Sequence, residues 1–231
     1  MKKQLLFALA FLFTLSFNGQ WKNSQDTLRF QWKQTVVPAG LLLSGGIAHL
    51  SKENVKVTTE RKVKGDALGL GNYAEDYLQF TPHLAAFGLE IFGVKPKTDY
   101  KNRFVMMVKG EILALASSYI LKKAVKNNRP DGSAYAFPSG HTANVFAGAT
   151  LLSEEYKDEI PWIPYAAYGV ASGVGVLRMS HEKHYFSDVL FGAGLGILSM
   201  KMAYWTHQYR WNRKKNSETD PLAVIYKFNA P

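Results

Sequence analysis

The sequence contains no cysteine. Disulfide bonds, a thiolate nucleophile and cysteine-ligated zinc are therefore excluded, and the fold must be held together by packing alone. No histidine and acidic residues recur with the spacing of a metal site either, so we expect neither a metal nor a cofactor. The chain of 231 residues also lacks a low-complexity linker, which favours one domain.

Acidic residues are in short supply. There are 18 of them against 28 lysines and arginines, which gives a formal net charge of +10. Such an excess suits an anionic substrate or an anionic membrane surface. The cations are dispersed, and no basic stripe with interleaved aromatics is present, so we do not expect nucleic acid as a partner.

A long apolar run is missing from the N-terminus, although a short one is present. Met1-Lys2-Lys3 is followed by a mostly apolar stretch from Leu5 to Phe17 and then by a polar exit. This order is typical of a secretory signal, and the run is shorter than the ~20 residues of a spanning helix. Residues 1–20 are therefore predicted to be a signal peptide, with an uncleaved N-terminal anchor as the alternative.

Period-two alternation is scarce, and long apolar-rich segments dominate. We predict an all-α bundle of about six helices, over residues 31–50, 75–93, 101–126, 139–156, 163–179 and 184–209. The expected organisation has an N-terminal helix and basic connection over 21–74, a helical core over 75–206 and a basic tail over 207–231. Residues 222–228 alternate loosely and indicate a short edge strand or a disordered tail.

Charges interrupt several of the apolar segments. Lys109 and Glu111 lie within one predicted helix and Glu90 within another, whereas residues 161–177 are free of charge. Charges in such positions face a bundle interior, a partner or water. With a mean hydropathy of −0.15, the sequence favours a membrane-associated bundle over six full membrane spans.

The first of three polar clusters runs from Lys122 to Pro130. Lys122 and Arg129 are seven residues apart, so on one helix they project from the same side, about 10 Å apart along its axis. Pro130 would end that helix just after Arg129. The two cations could face one pocket, or they could form an ordinary solvated helix terminus.

The second cluster is Pro138-Ser139-Gly140-His141. Ser139 is a natural N-cap, and the first backbone N–H groups of the following helix then lack partners. Gly140 allows an anion to approach that backbone closely, which predicts an anion-binding helix N-terminus beside His141. An ordinary N-cap is the alternative.

The third cluster combines Arg178, His184 and Asp188. His184 and Asp188 are four residues apart and would lie one above the other on a helix. The carboxylate could then fix the imidazole tautomer and leave the other nitrogen as a nucleophile, while Arg178 offers a fork for phosphate. A structural helix-start histidine is the alternative for this pair alone.

Taken in order, Lys122-x6-Arg129-Pro130, Pro138-Ser139-Gly140-His141 and Arg178-x5-His184-x3-Asp188 resemble the three-part signature of the type 2 phosphatidic acid phosphatase superfamily. That superfamily also contains bacterial acid phosphatases and vanadium haloperoxidases. The resemblance covers about residues 75–206. One position departs from the pattern, because Leu177 stands where the family usually has serine.

The resemblance implies a role for each matched residue. His184 would attack phosphorus and form a phosphohistidine, Asp188 would orient its ring, and His141 would protonate the leaving alkoxide and then activate water. The phosphate oxygens would be held by Lys122, Arg129, Ser139, Gly140 and Arg178. Such chemistry needs positive charge and positioning rather than a metal.

We therefore expect a metal-independent phosphatase acting on lipid phosphates such as phosphatidic acid, an isoprenyl diphosphate or a lipid A phosphate. It would be exported and inner-membrane associated, with its active site facing the periplasm. A soluble periplasmic acid phosphatase, a vanadate-dependent haloperoxidase and a non-catalytic scaffold remain as alternatives. His181 is predicted to be a substrate-edge or loop residue, and His49, His83 and His207 are predicted to be structural or solvated.

Overall fold

The computed structural model describes residue 30, residues 32–51 and residues 73–207. The predicted signal or anchor over 1–20, most of the basic connection and the tail with its possible strand lie outside these residues. Within the described ranges there are seven helices: α1 Lys33–Leu50, α2 Ala74–Leu78, α3 Thr81–Ile91, α4 Tyr100–Val125, α5 Gly140–Tyr156, α6 Ile163–Ser180 and α7 Phe186–Trp205. The prediction of an all-α bundle is confirmed.

Helix α7 lies at the centre and packs against α1, α4 and α5. Its glycines permit this close packing. Ser139 caps the start of α5, and a Cβ atom at Gly192 would lie 2.6 Å from its carbonyl oxygen. A Cβ atom at Gly194 would lie 2.8 Å from the carbonyl oxygen of Pro38 in α1. Only a residue without a side chain lets two backbones approach so closely.

Three helix boundaries differ from the sequence prediction. The segment 75–93 forms two helices, α2 and α3, rather than one. Helix α4 ends at Val125, where Lys126 takes a left-handed conformation with φ 52°. Helix α7 begins at Phe186, so the expectation that it starts at His184 was wrong.

The loop and helix ends that carry the three polar clusters meet at one end of the bundle, which we call the motif end. Lys122 is in the last turn of α4, Arg178 is in the last turn of α6, and Asp188 is in the first turn of α7. Ser139 caps the start of α5. An apolar layer lies beneath them and is built from Leu42, Leu121, Val125, Phe137, Phe191 and Leu195.

The opposite end, which we call the far end, holds a buried polar cluster of its own. Glu155, only 1% exposed, accepts hydrogen bonds from the backbone N and the Oγ1 of Thr98, both at 2.9 Å, and from Tyr204 Oη at 2.5 Å. Arg103 pairs with Glu90 and donates to the Thr98 carbonyl oxygen at 3.3 Å. These bonds tie the α3–α4 region to the ends of α5 and α7.

Within the described ranges, two helices are long and apolar enough to cross a membrane. The most apolar window of α4 has a mean hydropathy of 1.6 and is 33% buried, whereas that of α7 has a mean hydropathy of 1.3 and is 78% buried. A mostly buried helix such as α7 is also what the core of a soluble bundle contains, so α4 is the more informative of the two. Its apolar side chains Phe104, Ile112, Leu115, Tyr119 and Ile120 are exposed.

Candidate active site

The start of α5 has the geometry of an anion-binding helix N-terminus. Ser139 is fully buried, and its Oγ accepts hydrogen bonds from Thr142 Oγ1 at 2.8 Å and from the Thr142 backbone N at 3.4 Å. The Ser139 backbone N donates to the Asp188 carbonyl oxygen at 3.0 Å, which fixes this helix start against α7. The N–H groups of Gly140 and His141 belong to the first turn and have no acceptor within the helix.

Lys122 crosses beneath this helix start. Its Nζ donates to the carbonyl oxygens of Tyr135 at 2.9 Å and Pro138 at 2.7 Å. A Cβ atom added at Gly140 would lie 4.0 Å from Lys122 Cε, so the ammonium stem runs alongside the glycine backbone. The structure therefore brings Lys122 close to Gly140.

Arg129 reaches the site from a loop rather than from a helix. Because α4 ends at Val125, the expectation that Lys122 and Arg129 share one helix face was wrong. The loop is fixed instead by the Arg129 backbone N, which donates to the Ser133 oxygen at 2.7 Å. It is joined to the α6–α7 connection by Asp131, which pairs with Lys183 at 3.1 Å.

His184 and Asp188 meet at the start of α7. His184 precedes the helix, and its backbone N donates to the Arg178 oxygen at 3.1 Å. Asp188 is the third helical residue, and its Oδ2 accepts from the Tyr185 backbone N at 3.0 Å. His184 Nδ1 lies 3.6 Å from Asp188 Oδ2, which is longer than a hydrogen bond, so the carboxylate acts on the ring through its charge.

Burial keeps His184 in its neutral form. The side chain is 2% exposed. Burial lowers the pKa of His184 to about 4, and Lys122 and Arg178 add to the effect, whereas Asp188 opposes it. At neutral pH the imidazole therefore carries a lone pair, which is the state that a nucleophile needs.

Two acidic residues of α2 complete the site, and the sequence analysis did not identify them. Glu75, 1% exposed, lies 3.1 Å from both Arg178 Nη1 and His181 Nδ1. Asp76 Oδ1 lies 2.9 Å from His141 Nε2. The consecutive acids at the start of an apolar segment were the available signal, but nothing in the local pattern pointed to partners 65 or more residues away.

His181 and His49 also have positions that the sequence did not resolve. His181 caps the end of α6 and contacts Glu75, so it supports the site from behind Arg178. The His49 ring stacks on Phe137 with centroids 4.2 Å apart, and its Nδ1 lies 3.9 Å from Asp188 Oδ1. His83 and His207 lie elsewhere in the bundle, paired with Glu111 and Asn102 at 2.7 Å each.

Several buried polar atoms at the motif end have no hydrogen-bond partner among the described residues. They include Arg129 Nε, Arg178 Nε, His184 Nδ1 and Asp188 Oδ1. Native proteins rarely leave such atoms unsatisfied, except where a ligand or water binds. Unsatisfied guanidinium donors and a helix N-terminus are groups that bind a tetrahedral oxyanion.

The residues that form this site also match a known protein family. The model of the PAP2 superfamily matches residues 104–212, which contain all three polar clusters. This segment belongs to the PAP2 superfamily. Its PAP2 portion thus begins within α4, so that α1, α2 and α3, which carry His49, Glu75 and Asp76, lie outside the matched residues.

This chain is similar in sequence to a curated protein and in fold to a solved structure. A curated lipid A 1-phosphatase of Porphyromonas gingivalis is 38% identical over 161 residues, which are 63% of this chain and 36% of that protein. The chain thus spans about a third of that relative. The crystal structure of Aquifex aeolicus LpxE superimposes with a TM-score of 0.53 at 20% identity, covering 66% of this chain and 96% of that one, and supports the helical fold.

Proposed function

We propose that this chain is a lipid phosphatase that hydrolyses phosphate monoesters or diphosphates through a phosphohistidine on His184. One observation carries the proposal: a buried, neutral histidine beside a carboxylate lies at the point where three cationic side chains and a helix N-terminus converge. The PAP2 match over the same residues supports it.

In the first step, His184 Nε2 donates its lone pair to phosphorus, and the bond between phosphorus and the leaving oxygen breaks. The leaving oxygen takes the bonding pair and receives a proton from His141. In the second step, water attacks phosphorus while His141 accepts its proton, and the N–P bond breaks with its electrons returning to His184. A monoester yields inorganic phosphate and the alcohol, and a diphosphate yields inorganic phosphate and the monophosphate.

Asp188 supports the nucleophile in both steps. Its negative charge, 3.6 Å from His184 Nδ1, stabilises the positive charge that the imidazole gains when the N–P bond forms. The capping contact with Tyr185 holds the carboxylate in place. The same carboxylate therefore both starts α7 and orients the reacting ring.

The phosphate oxygens would be bound by Lys122, Arg129 and Arg178, together with Ser139 and the Gly140 backbone N–H. Phosphoryl transfer needs fixed positive charge around the equatorial oxygens. Arg129 Nε and Arg178 Nε are buried donors without acceptors in the described part of the chain, so they can bind an anion without giving up a bond made there. This charge takes the place that a metal occupies in other phosphatases, so we propose that the reaction needs no metal.

A lipid substrate is supported by the relative and by the surface. The Porphyromonas gingivalis relative is a lipid A 1-phosphatase, which makes the 1-phosphate of lipid A the first substrate to test. Exposed aromatic side chains surround the motif end, namely Tyr73, Tyr77, Phe80, Tyr119, Tyr135 and Phe186. Aromatic side chains are enriched at the boundary between membrane and water, where a lipid headgroup lies.

The site is proposed to face the periplasm, with the protein associated with the inner membrane. The signal-like or anchor-like residues 1–20, the basic charge and the exposed apolar face of α4 support this placement. We further propose that residues 75–206 form the catalytic core and that 21–74 and 207–231 are accessory segments.

The test is release of phosphate by purified protein in the presence of EDTA, with lipid A 1-phosphate, phosphatidic acid, an isoprenyl diphosphate and a soluble phosphate ester compared. We expect turnover of at least one lipid phosphate at a rate well above that of the soluble ester. A preference for the soluble ester would favour a periplasmic acid phosphatase. Turnover of none of the four, by protein that is folded, would refute the proposal.

A further inference from the structure

Asp76 makes a side-chain contact that the three polar clusters do not account for. Its Oδ1 lies 2.9 Å from His141 Nε2, within hydrogen-bond distance. It also lies 3.8 Å from Arg178 Nη1. A residue of α2 therefore reaches the imidazole that, under the proposed function, exchanges a proton with the substrate.

Asp76 and His141 are more exposed to solvent than the neighbouring buried contact between Glu75 and Arg178. The side chains of Asp76 and His141 are 46% and 30% exposed, whereas that of Glu75 next to Asp76 is 1% exposed. A half-exposed carboxylate adds little to stability by forming an ion pair. Its contact with His141 has more consequence for the protonation and orientation of the ring than for the fold.

The charges around His141 oppose one another. Burial, followed by Arg178 of α6, lowers the pKa of His141 below its ordinary value, and Asp76 and then Glu75 of α2 offset only part of that lowering. An imidazole in a pocket of cations loses its proton easily, and an acid that is already deprotonated cannot protonate a leaving group. Asp76 thus opposes the effect that the phosphate-binding cations exert on the general acid.

The other helices that pack against α5 place their charged groups away from the His141 ring. Lys122 of α4 runs alongside Gly140, and the Asp188 backbone of α7 contacts Ser139. His83 of α3, paired with Glu111, meets α5 at Gly148, two turns further along. None of these contacts involves the His141 ring, so α2 is where its acidic partners lie among the described residues.

We propose that Asp76 is the positioning residue of His141, accepting a hydrogen bond from Nε2 and favouring the protonated ring, which donates its proton to the leaving oxygen through Nδ1. This inference rests on the proposed function. In the first step the proton moves from Nδ1 to the leaving oxygen as the P–O bond breaks, and in the second Nδ1 accepts a proton from the attacking water. The Nε2–H bond to Asp76 is retained throughout.

Two variants separate the charge of Asp76 from its hydrogen bond. Asp76→Asn keeps an acceptor oxygen but removes the charge, so the alkaline limb of the kcat/KM profile should move by about one unit to lower pH. Asp76→Ala removes both, and kcat should fall by up to about 10²-fold. Asp76→Glu should restore much of the wild-type profile. Substrate ionisation is common to all four proteins, so differences between their profiles belong to the enzyme.

The matched control is Asp158→Asn, which removes one exposed carboxylate near the far end, where Asp158 pairs with Lys97 at 3.6 Å. Its pH profile should coincide with that of wild type. The Asp76 variants should also lose less activity with an aryl phosphate than with an alkyl phosphate, because a good leaving group needs no proton. Equal losses with both substrates would contradict the proposal.

A measurement without turnover completes the test. In ¹⁵N-histidine-labelled full-length protein, the His141 signals, assigned with His141→Gln, should report an Nε2–H tautomer and titrate at lower pH in Asp76→Asn than in wild type. An unchanged titration overturns the inference even if the enzyme is active. A shifted titration in a protein that hydrolyses no phosphate ester upholds the contact and refutes the proposed function instead.

Discussion

Both ends of the bundle contain buried polar groups, but the two ends differ in how many of these groups have hydrogen-bond partners. At the far end Glu155 accepts three hydrogen bonds from Thr98 and Tyr204, and Glu154 pairs with Lys157 and Lys201. At the motif end the unsatisfied atoms include the Nε atoms of both arginines and atoms of the His184–Asp188 pair. A satisfied buried network stabilises the fold, whereas unsatisfied cationic donors leave binding capacity for an anion.

The distinction is not absolute, because Arg103 Nε at the far end also lacks a partner among the described residues. Arg103 is nevertheless held by Glu90, by the Thr98 carbonyl oxygen and by the face of Phe87, whose ring centroid is 4.9 Å away. Its charge is therefore compensated. Substitutions at the motif end should chiefly alter activity, and those at the far end should chiefly alter stability.

The largest effect is expected for His184→Ala. Removal of the nucleophile should reduce kcat by about 10⁴-fold or more, as the loss of a catalytic nucleophile does in other hydrolases. The melting temperature should not fall correspondingly, because His184 Nδ1 has no hydrogen-bond partner among the residues that the structure describes. Phosphate release and thermal unfolding measured on the same preparation check both expectations. Substantial residual activity would assign the nucleophile elsewhere.

At the far end, Glu155→Ala should lower the free energy of unfolding by about 3 to 5 kcal/mol, because three donors lose a charged acceptor. Activity per folded molecule should remain within about twofold of wild type, since no atom of the motif end is changed. Chemical denaturation followed by circular dichroism provides the measurement. Glu159→Gln, at an exposed position next to the same helix end, is the control and should be neutral.

Gly192→Ala is expected to lower both stability and activity. A Cβ atom there would lie 2.6 Å from the Ser139 carbonyl oxygen, so α5 and its anion-binding start must move. We expect a loss of about 2 to 3 kcal/mol in stability and about tenfold in kcat/KM. Gly169→Ala is the control, because nothing lies within 4 Å of its added Cβ atom. Wild-type kinetics in Gly192→Ala would show that α5 need not be held against α7.

The smallest effect is a dependence of stability on pH. The pKa of His184 is about 4 in the folded protein and near its ordinary value of 6.5 in the unfolded chain. The unfolded chain therefore binds more protons between these values, and stability should fall as pH decreases through this window. The contribution between pH 7 and pH 5 is about 2 kcal/mol.

This contribution can be isolated by comparing wild type with His184→Gln in urea unfolding at both pH values. The variant should lose less stability on acidification, because it no longer has a group to protonate. Added phosphate should reduce the difference, since a bound anion raises the pKa of a nearby imidazole. Parallel losses in both proteins would indicate that His184 is not held neutral by burial.

The parts of the site that follow from local sequence were predictable. Ser139 before Gly140 predicts an N-cap, and the capped helix begins at Gly140. Pro130 predicts a helix end just after Arg129, but the chain leaves α4 at Val125, because Lys126 takes a left-handed conformation that no residue pattern required. Arg129 consequently reaches the site from a loop that was not foreseen.

The contributions of α1 and α2 could not be predicted for a different reason. Asp76 and His141 are 65 residues apart, and Glu75 and Arg178 are 103 apart, so only the packed bundle brings them together. His49 likewise approaches Asp188 because the glycines of α7 admit α1 at close range. Periodicity identifies which segments are helical, whereas the pairing of side chains at helix ends depends on tertiary packing.

The central claim is that His184 carries the phosphoryl group, and the most direct measurement is to trap it. Purified protein is mixed with a ³²P-labelled lipid phosphate, quenched within milliseconds under alkaline denaturing conditions that preserve phosphohistidine, and mapped by peptide sequencing. The account predicts label on the peptide containing His184, with none in His184→Ala and a longer-lived signal in His141→Ala, whose second step is slowed. Turnover without label at His184, or label retained in His184→Ala, would contradict the account.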